Sequence, residues 1–502
     1  MRIASGPLLA FLLLVPRAGQ ERAATAAEHD FHRDHVLGTS LDATLVASSR
    51  EQAEALLNAV VAETERLARI LSSYDEQSEL ARLLASGQSS DASRELREVL
   101  EGCAQWQRKS GGAFDVRVGE LIATWKAAQN AGVPPEPAVL EGLVARMRES
   151  GWKIDSKTGA VELVGRPQLV LNSFAKSYIL QRSIEHARRK TPAVSAGLIA
   201  IGGDLQSFGV PTHKNAWRIA IADPAHPADN STPLCALNIK SAGVATSAGY
   251  ARGFEIAGKH YSHIIDPRSG MPVTSVASAT VVAKDAVSAG PLATTLCVLT
   301  PEQGLALVAK LAGTECLIVT ADGKQHVSAG MPALLASDPA VPVPAAASKG
   351  GWKEGAEVQI KFTLPEVKAR GYRRPYVAIW IEDQQLKLVR TVVIWGNERR
   401  WLNEMSHWIE ASGYDGRSAH ATTRATRAPG EYTVVWDGLD DAGKAVGTGE
   451  YIVCIEIARE HGGHTIARRA IACGGKATKL TIPKNGELVA GEVAFRVQTG
   501  AK

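Results

Sequence analysis

The chain has 502 residues, 45% hydrophobic and 22% charged, with a formal net charge of +4. That length exceeds what one core usually holds and implies two or three domains. So small a charge gives no electrostatic case for nucleic acid, and the composition is that of an ordinary globular protein.

In chain order, Arg2, the apolar run Leu8 to Val15 and small residues at Ala18 and Ala24-Thr25-Ala26 form a three-part export signal. It is expected to occupy residues 1–26 and is too short to span a bilayer. No cysteine follows the run, so a lipid anchor is not expected, and no other segment is long and apolar enough to cross a membrane. The reading is an exported protein, in the periplasm or beyond it. His29, His32 and His35 are spaced in threes just after the signal and are not read as a metal site.

Leu41 to Ala47 alternates as a strand does, and Ser49 with Gln52 then gives a capping-box signature before a long amphipathic helix. A second helix is expected from Ser93 to Lys109, stopped by Gly111-Gly112. A third should run from Ser173 to Arg189, with later ones over Ala289–Leu299 and Pro301–Leu311. Strands fall at Leu198–Ile201, Trp217–Ile221 and Ala279–Ala283. Without a regular strand-helix-strand repeat, the fold class is α+β over residues 30–335.

Residues 336–350 read as a Pro/Ala linker. Beyond it, six of the ten tryptophans lie in a strand-rich region, residues 351–485, expected to be an all-β sandwich with a tail over 486–502. Arg399, Arg400 and Trp401 are candidate exposed contacts there, and His461 with His464 belongs to a hairpin. The six cysteines are too scattered for a disulfide scaffold; Cys454 and Cys473 are either a cross-strand pair or two separate buried thiols.

The chemistry-bearing segment is Ser262-His263-Ile264-Ile265-Asp266-Pro267-Arg268-Ser269-Gly270, where proline and glycine hold a histidine and an aspartate at the end of a strand. Around it lie Ser72-Ser73-Tyr74, Gly112-Ala113-Phe114-Asp115, Ala175-Lys176, Gly202-Gly203-Asp204, Ala245-Thr246-Ser247 and Leu292-Ala293-Thr294. Lys176 near a helix start suits a phosphate, since free amides, the helix dipole and a formal charge converge. His263 is of the right type for a general base near neutral pH. Neither G-x-G-x-x-G nor a Walker motif occurs.

These motifs, in this order, resemble the FAD:protein FMN transferases of the ApbE type over residues 30–330. The resemblance implies transfer of FMN from FAD to a threonine or serine hydroxyl of an exported or membrane redox protein, with magnesium as cofactor and AMP released. It makes His263 the catalytic base. It makes Leu37, Tyr74, Ala113, Phe114, Asp115, Lys176, Gly203, Asp204, Thr246 and Asp266 flavin-nucleotide contacts, with Tyr74 stacking on the ring. Asp266 either orients His263 or is structural. Ser173 (through its carbonyl), Thr294 and Asp285 are the candidate metal ligands.

The chain departs from the family pattern at several places. Gly290 stands four residues before Thr294, where the family usually carries an acidic residue, and Val170 replaces an aspartate six residues before the lysine. Leu37 replaces a methionine, and the S-G-D-Y segment reads Ser247-Ala248-Gly249-Tyr250. Two absent carboxylates raise the alternatives of a non-catalytic flavin-binding protein docked to a redox partner, or a FAD pyrophosphatase. The strand-rich region resembles the Ig-like domains of flagellar hook-capping proteins, through Trp436-Asp437-Gly438 and Gly449-Glu450-Tyr451, and a β-rich domain fused to periplasmic flavin proteins.

Overall fold

A computed structural model describes residues 26–336 and 352–497, apart from short stretches within 212–232, at 251 and 354, and within 366–373, 397–403, 415–428 and 460–462. The expected export signal, most of the linker and Arg399-Arg400-Trp401 lie outside the described residues.

The first region is built on an eight-stranded, wholly antiparallel sheet. Its order is Ala27–Val36, Thr39–Ala47, Ala196–Ile201, Asp204–Phe208, Gly243–Ala248, Val276–Ala283, Glu315–Thr320 and Gln325–Val327. Period-two alternation divides its residues between two cores. Ala245, Ala279, Val281 and Ile318 join the core beneath the helices. Their neighbours Val244, Val282, Leu317 and Val319 face the opposite core, closed by the strand pair Trp217–Ile221 and Cys235–Ile239.

The helices fall where capping and periodicity place them. Arg50–Leu71 begins at Ser49, whose hydroxyl accepts from the Gln52 amide. The reciprocal half of the box is diverted, because the Gln52 side chain accepts from Ser48 instead. Arg94–Lys109, Asn172–Lys190, Ala286–Val298 and Pro301–Val308 agree with the expected ranges to within a few residues. Three helices of the first region, Glu79–Ser86, Gly119–Ala131 and Pro137–Glu149, were not expected, although Ser78 caps the first and Pro137 opens the third; only Gly119–Ala131 lacks both a side-chain cap and a starting proline.

The edge strand Ala27–Val36 was not expected either. Its sequence is dominated by His, Asp, Arg and Glu, the usual dress of a protected edge. It turns into its neighbour through Leu37-Gly38, both with positive φ (51° and 74°), the geometry of a two-residue hairpin. Three residues apart on one strand, His29 and His32 point to opposite faces. His32 pairs with Asp42 at 2.6 Å, and His29 reaches the Ala47 carbonyl at 3.4 Å.

The second region is a sandwich. One sheet has the order Gly430–Trp436, Ala356–Leu364, Ala490–Val497, Thr478–Ile482. The other has Thr423–Arg424, Leu388–Trp395, Tyr376–Glu382, Gly449–Ala458, His464–Cys473. Val358, Ile360 and Phe362 meet Val377, Ile379, Val453 and Ile455 between them. The expected tail over 486–502 is corrected: Ala490–Val497 is an inner strand, paired on both sides. The outer face of the five-stranded sheet is covered by the helix Ser406–Ser412, with Trp380, Trp408 and Cys454 in that smaller core. Cys473 faces the inter-sheet core instead, so the two thiols sit on opposite faces and are both free and buried.

Candidate active site

Three elements of the first region converge: the helix Asn172–Lys190, the helix Ala286–Val298, and the hairpin Gly253–Ile256/Lys259–Ser262 that leads into His263. His263 Nδ1 lies 3.0 Å from the Arg252 carbonyl. A carbonyl only accepts, so Nδ1 carries the proton and the neutral ring presents a basic Nε2. Partial withdrawal from water holds its pKa below the ordinary 6.5, and the nearby charges of Arg252 and Lys176 act in the same direction.

Asp266 does not orient that ring. Its carboxylate is clamped by Arg268, with Nε and the second guanidinium nitrogen at 2.9 and 2.8 Å, and its backbone closes the turn with Gly270 and Met271. It belongs to the scaffold of the histidine segment.

Lys176 lies in the opening turns of the helix Asn172–Lys190, which begins at Leu171 with no side-chain cap. Its first amides are therefore not taken by a capping side chain, the arrangement that suits an anion. Burial pushes the Lys176 ammonium below its ordinary pKa; Arg252 adds to this and Asp204 opposes it. Asp204 follows the Gly202-Gly203 turn, where Gly202 has φ 62° and a Cβ on Gly203 would approach the Thr246 carbonyl to 3.1 Å. Asp204 is half-buried, and removal of its carboxyl from water raises its pKa to about 6 against the pull of Ser177 and Lys176. Lys176, Asp204 and His263 thus share one electrostatic environment.

The Gly290 position explains itself in three dimensions. A Cβ built there would lie 1.9 Å from Ser177 Oγ and 3.4 Å from Asp204 Oδ1. The room that a side chain at 290 needs is already filled by a serine from the neighbouring helix. That hydroxyl is buried and makes no hydrogen bond of good geometry. Thr294, one turn further along the same helix face, has its Oγ1 3.2 Å from Ser247 Oγ. Thr246 Oγ1 lies 2.9 Å from Thr280 Oγ1.

Asp285 is corrected as a metal candidate. It is the N-cap of Ala286–Val298, accepting from the Ser288 amide at 2.8 Å. Nine residues separate it from Thr294, roughly 13 Å of helix, so one ion cannot bridge them. Ser173 lies in the first turn of the lysine helix, where its carbonyl is part of the helical ladder.

Tyr74 is 83% exposed, which rejects a core role. Ser72 Oγ accepts from the Tyr74 and Asp75 amides, and the phenol oxygen receives Asn172 Nδ2 at 3.0 Å. An open aromatic face is thereby pinned to the start of the lysine helix. Ala113 and Phe114 are core residues, so their side chains offer no surface to a ligand. Asp115 is bound by Arg117 and by Gln107 at 2.9 Å. Arg117 in turn reaches the Ser150 carbonyl, and this segment acts as a buttress. Leu37 sits at the tip of the edge hairpin, partly packed on two cores.

Residues 37–318 match the ApbE family, more than half of the chain. The chain belongs to that family. An ApbE residue signal covers the site from Leu37 through Thr294, and residues 357–490 match a family described as predicted periplasmic proteins (DUF2271). A FAD:protein FMN transferase of Treponema pallidum is 29% identical over 315 residues, 59% of this chain and 86% of that protein. One from Klebsiella pneumoniae is 28% identical over 283 residues, 54% of this chain and 79% of its own. The crystal structure of an ApbE protein from Thermotoga maritima superposes with a TM-score of 0.54 at 25% identity, covering 61% of this chain and 99% of that one. The ApbE domain therefore has the family's fold, and no helix among its described residues is long and apolar enough to cross a membrane.

Proposed function

We propose that the ApbE domain transfers FMN from FAD to a threonine or serine hydroxyl of an acceptor protein and releases AMP. The observation that carries this is the tautomer of His263, fixed by the Arg252 carbonyl, with Lys176 near enough to act on its charge and Asp204 near enough to act on that of Lys176. The acceptor oxygen forms a bond to the FMN phosphorus as the bond from that phosphorus to the bridging oxygen breaks. The hydroxyl proton passes to His263 Nε2, and AMP leaves with the bridging oxygen. Lys176 and the uncapped helix start bind the pyrophosphate, and Tyr74 offers its face to the isoalloxazine ring.

The donor set fits a hard cation such as magnesium, with Asp204 as its carboxylate. Ser177 Oγ, buried without a hydrogen bond of good geometry, and Asp204 Oδ1 both border the Gly290 position, so polar atoms meet there without full satisfaction. Asp204 and Thr294 would hold the ion with the Ser173 carbonyl and substrate phosphate oxygens, as magnesium accepts one or two carboxylates. Bound there, it would polarise the phosphoryl oxygens. Export to the periplasm agrees with the second region's family description.

The test is to incubate the protein with FAD, magnesium and an acceptor bearing a flavinylated-type threonine, then resolve proteins and nucleotides. A covalently fluorescent acceptor band with equimolar AMP is expected. FMN and AMP without a band would establish the pyrophosphatase reading, and retention of intact FAD the binding-only reading.

A further inference from the structure

Glu456 is fully buried in the sandwich, on the outer face of the strand Gly449–Ala458. Its cross-strand partner is Ile466, so His464, two residues away on the next strand, shares its face. The helix Ser406–Ser412 lies over that face and brings His407 to the same carboxylate. His407 Nδ1 and His464 Nε2 approach Glu456 Oε1 to 3.0 and 2.6 Å. All three donor atoms lie within 4.8 Å of one another. The carboxylate is aimed by two further contacts: the His407 amide donates to Oε1 at 3.1 Å and the Trp408 amide to Oε2 at 2.8 Å.

A carboxylate removed from water needs a compensating positive charge. Among the described residues no lysine or arginine forms an ion pair with Glu456, and its counter-groups are these two imidazoles. An imidazole supplies that charge only while protonated. A divalent ion supplies it at any pH at which the rings are neutral. Zinc-type bonds of roughly 2.0–2.2 Å set tetrahedral donors about 3.4 Å apart, so His407 Nδ1 and His464 Nε2, now 3.0 and 2.6 Å from Glu456 Oε1, must draw back by about 0.4 and 0.8 Å, within the reach of a small ring rotation. The two rings are 36% and 39% exposed while Glu456 is at 0%, which leaves the solvent side open for entry and for a water ligand. The backbone amides on Glu456 play the orienting part that outer hydrogen bonds play at metal sites.

We propose that His407, Glu456 and His464 form a binding site for a divalent transition metal of the zinc class in the second domain. The donor set is two imidazoles and one carboxylate, which suits zinc, nickel, cobalt or copper, not magnesium. This site is independent of the flavin chemistry of the first domain.

The full-length protein, stripped with a chelator and kept in excess magnesium, is titrated with Co²⁺ and then Zn²⁺. One Co²⁺ per chain is expected, with the visible absorption of a low-coordinate ion that Zn²⁺ displaces. His464→Gln keeps an amide donor for Glu456 but removes the ligand nitrogen. It should weaken binding by at least about 100-fold, the upper end of what outer-sphere changes cost. The near-ultraviolet circular dichroism of the variant, dominated by the tryptophans of the second domain, should match the parent and report a folded sandwich. His407→Gln reads the same loss if the first variant fails to fold. No stoichiometric uptake by the unaltered protein, or equal affinity and spectrum in a folded variant, overturns the proposal and leaves the trio as a hydrogen-bonded network.

Discussion

Asp204 and Glu456 each sit on a sheet beneath a covering helix, one in the ApbE domain and the other in the sandwich. Glu456 receives two backbone amides and two imidazoles. Asp204 has only a lysine's field and a serine hydroxyl nearby, and its pKa is raised to about 6. A fold able to satisfy one acid so fully has left the other under-satisfied. The same domain that starves Asp204 also exposes Tyr74, half-buries Lys176 and leaves a helix start without a side-chain cap. These costs gather at one place, as they do where a ligand completes the structure. The contrast is what the proposed function expects of a site that receives a charged ligand.

The sharpest way to break the contrast is to remove the base. His263→Ala should slow FMN transfer by about 10²–10⁴-fold while FAD affinity stays within a few-fold, because a base acts on the acceptor hydroxyl. In the unaltered enzyme kcat/KM should fall as pH drops below 6.5, since a base with a lowered pKa is neutral above that value. Loss of affinity in parallel with rate would make His263 an FAD-orienting residue.

Asp204→Asn tests the cost of the under-satisfied acid. The folded state holds the Asp204 proton more tightly than the unfolded chain, whose value is near 3.8 against about 6. Stability is therefore greatest below 3.8, falls as pH rises to 6, and is level above. At about 1.4 kcal/mol per unit, the ionised acid costs on the order of 2–3 kcal/mol at neutral pH. Asparagine escapes that cost, so the ligand-free variant should be more stable than the parent at pH 7.5 and equal to it at pH 3.5. Denaturant melts at both pH values measure this, and equal stability at pH 7.5 would remove Asp204 from the strained site. Magnesium affinity, read by calorimetry without FAD turnover, should fall in the same variant.

Gly290→Asp asks whether the family's acidic position can be restored. Alone it drives a Cβ into Ser177 Oγ, an overpacking expected to cost about 1–3 kcal/mol. Combined with Ser177→Gly, which clears both the hydroxyl and the Cβ 2.9 Å away, the aspartate should be accommodated beside Asp204. The double variant should bind magnesium more tightly than the parent and melt above the single variant. A double variant no better than Gly290→Asp would mean that the helices, and not Ser177, close the space.

Lys176, Asp204 and His263 could be picked out from their motifs, and the fold brings Lys176 within electrostatic reach of the other two. Their partners were not legible. The His263 tautomer is set by a backbone carbonyl eleven residues upstream, across a hairpin, and a carbonyl leaves no residue-type signal. Gly290 was visible as a departure, but only the packing of two helices shows Ser177 in its place. Asp285 was misread because linear closeness to Thr294 ignored the helix between them, although an Asp before an apolar run is itself a capping signal. The strand Ala490–Val497 was read as part of a tail, although the turn Asn485-Gly486 before it can end one strand and begin another. The Glu456 trio comes from three separate segments, and no spacing rule joins 407 to 456 and 464.

The smallest expected effect comes from separating the two regions. No sheet of one contains a strand of the other, and among the described residues each region has its own cores. The last strand of the ApbE sheet, Gln325–Val327, is followed by the turn Met331–Leu334, whose Met331 is buried in the sheet's outer core. The Ala336 amide then donates to the Ala236 carbonyl at 2.9 Å, the final tether of this region. A chain ending at Ala336 keeps all of these contacts and all the candidate site residues. It should fold and turn over FAD at the full-length rate, within about twofold, since a Pro-rich linker implies few contacts across the boundary. Measuring FAD turnover by both forms side by side decides it. A truncated protein that is folded by circular dichroism yet inactive would show that the sandwich completes the active site, and the independence of the two carboxylates would fall with it.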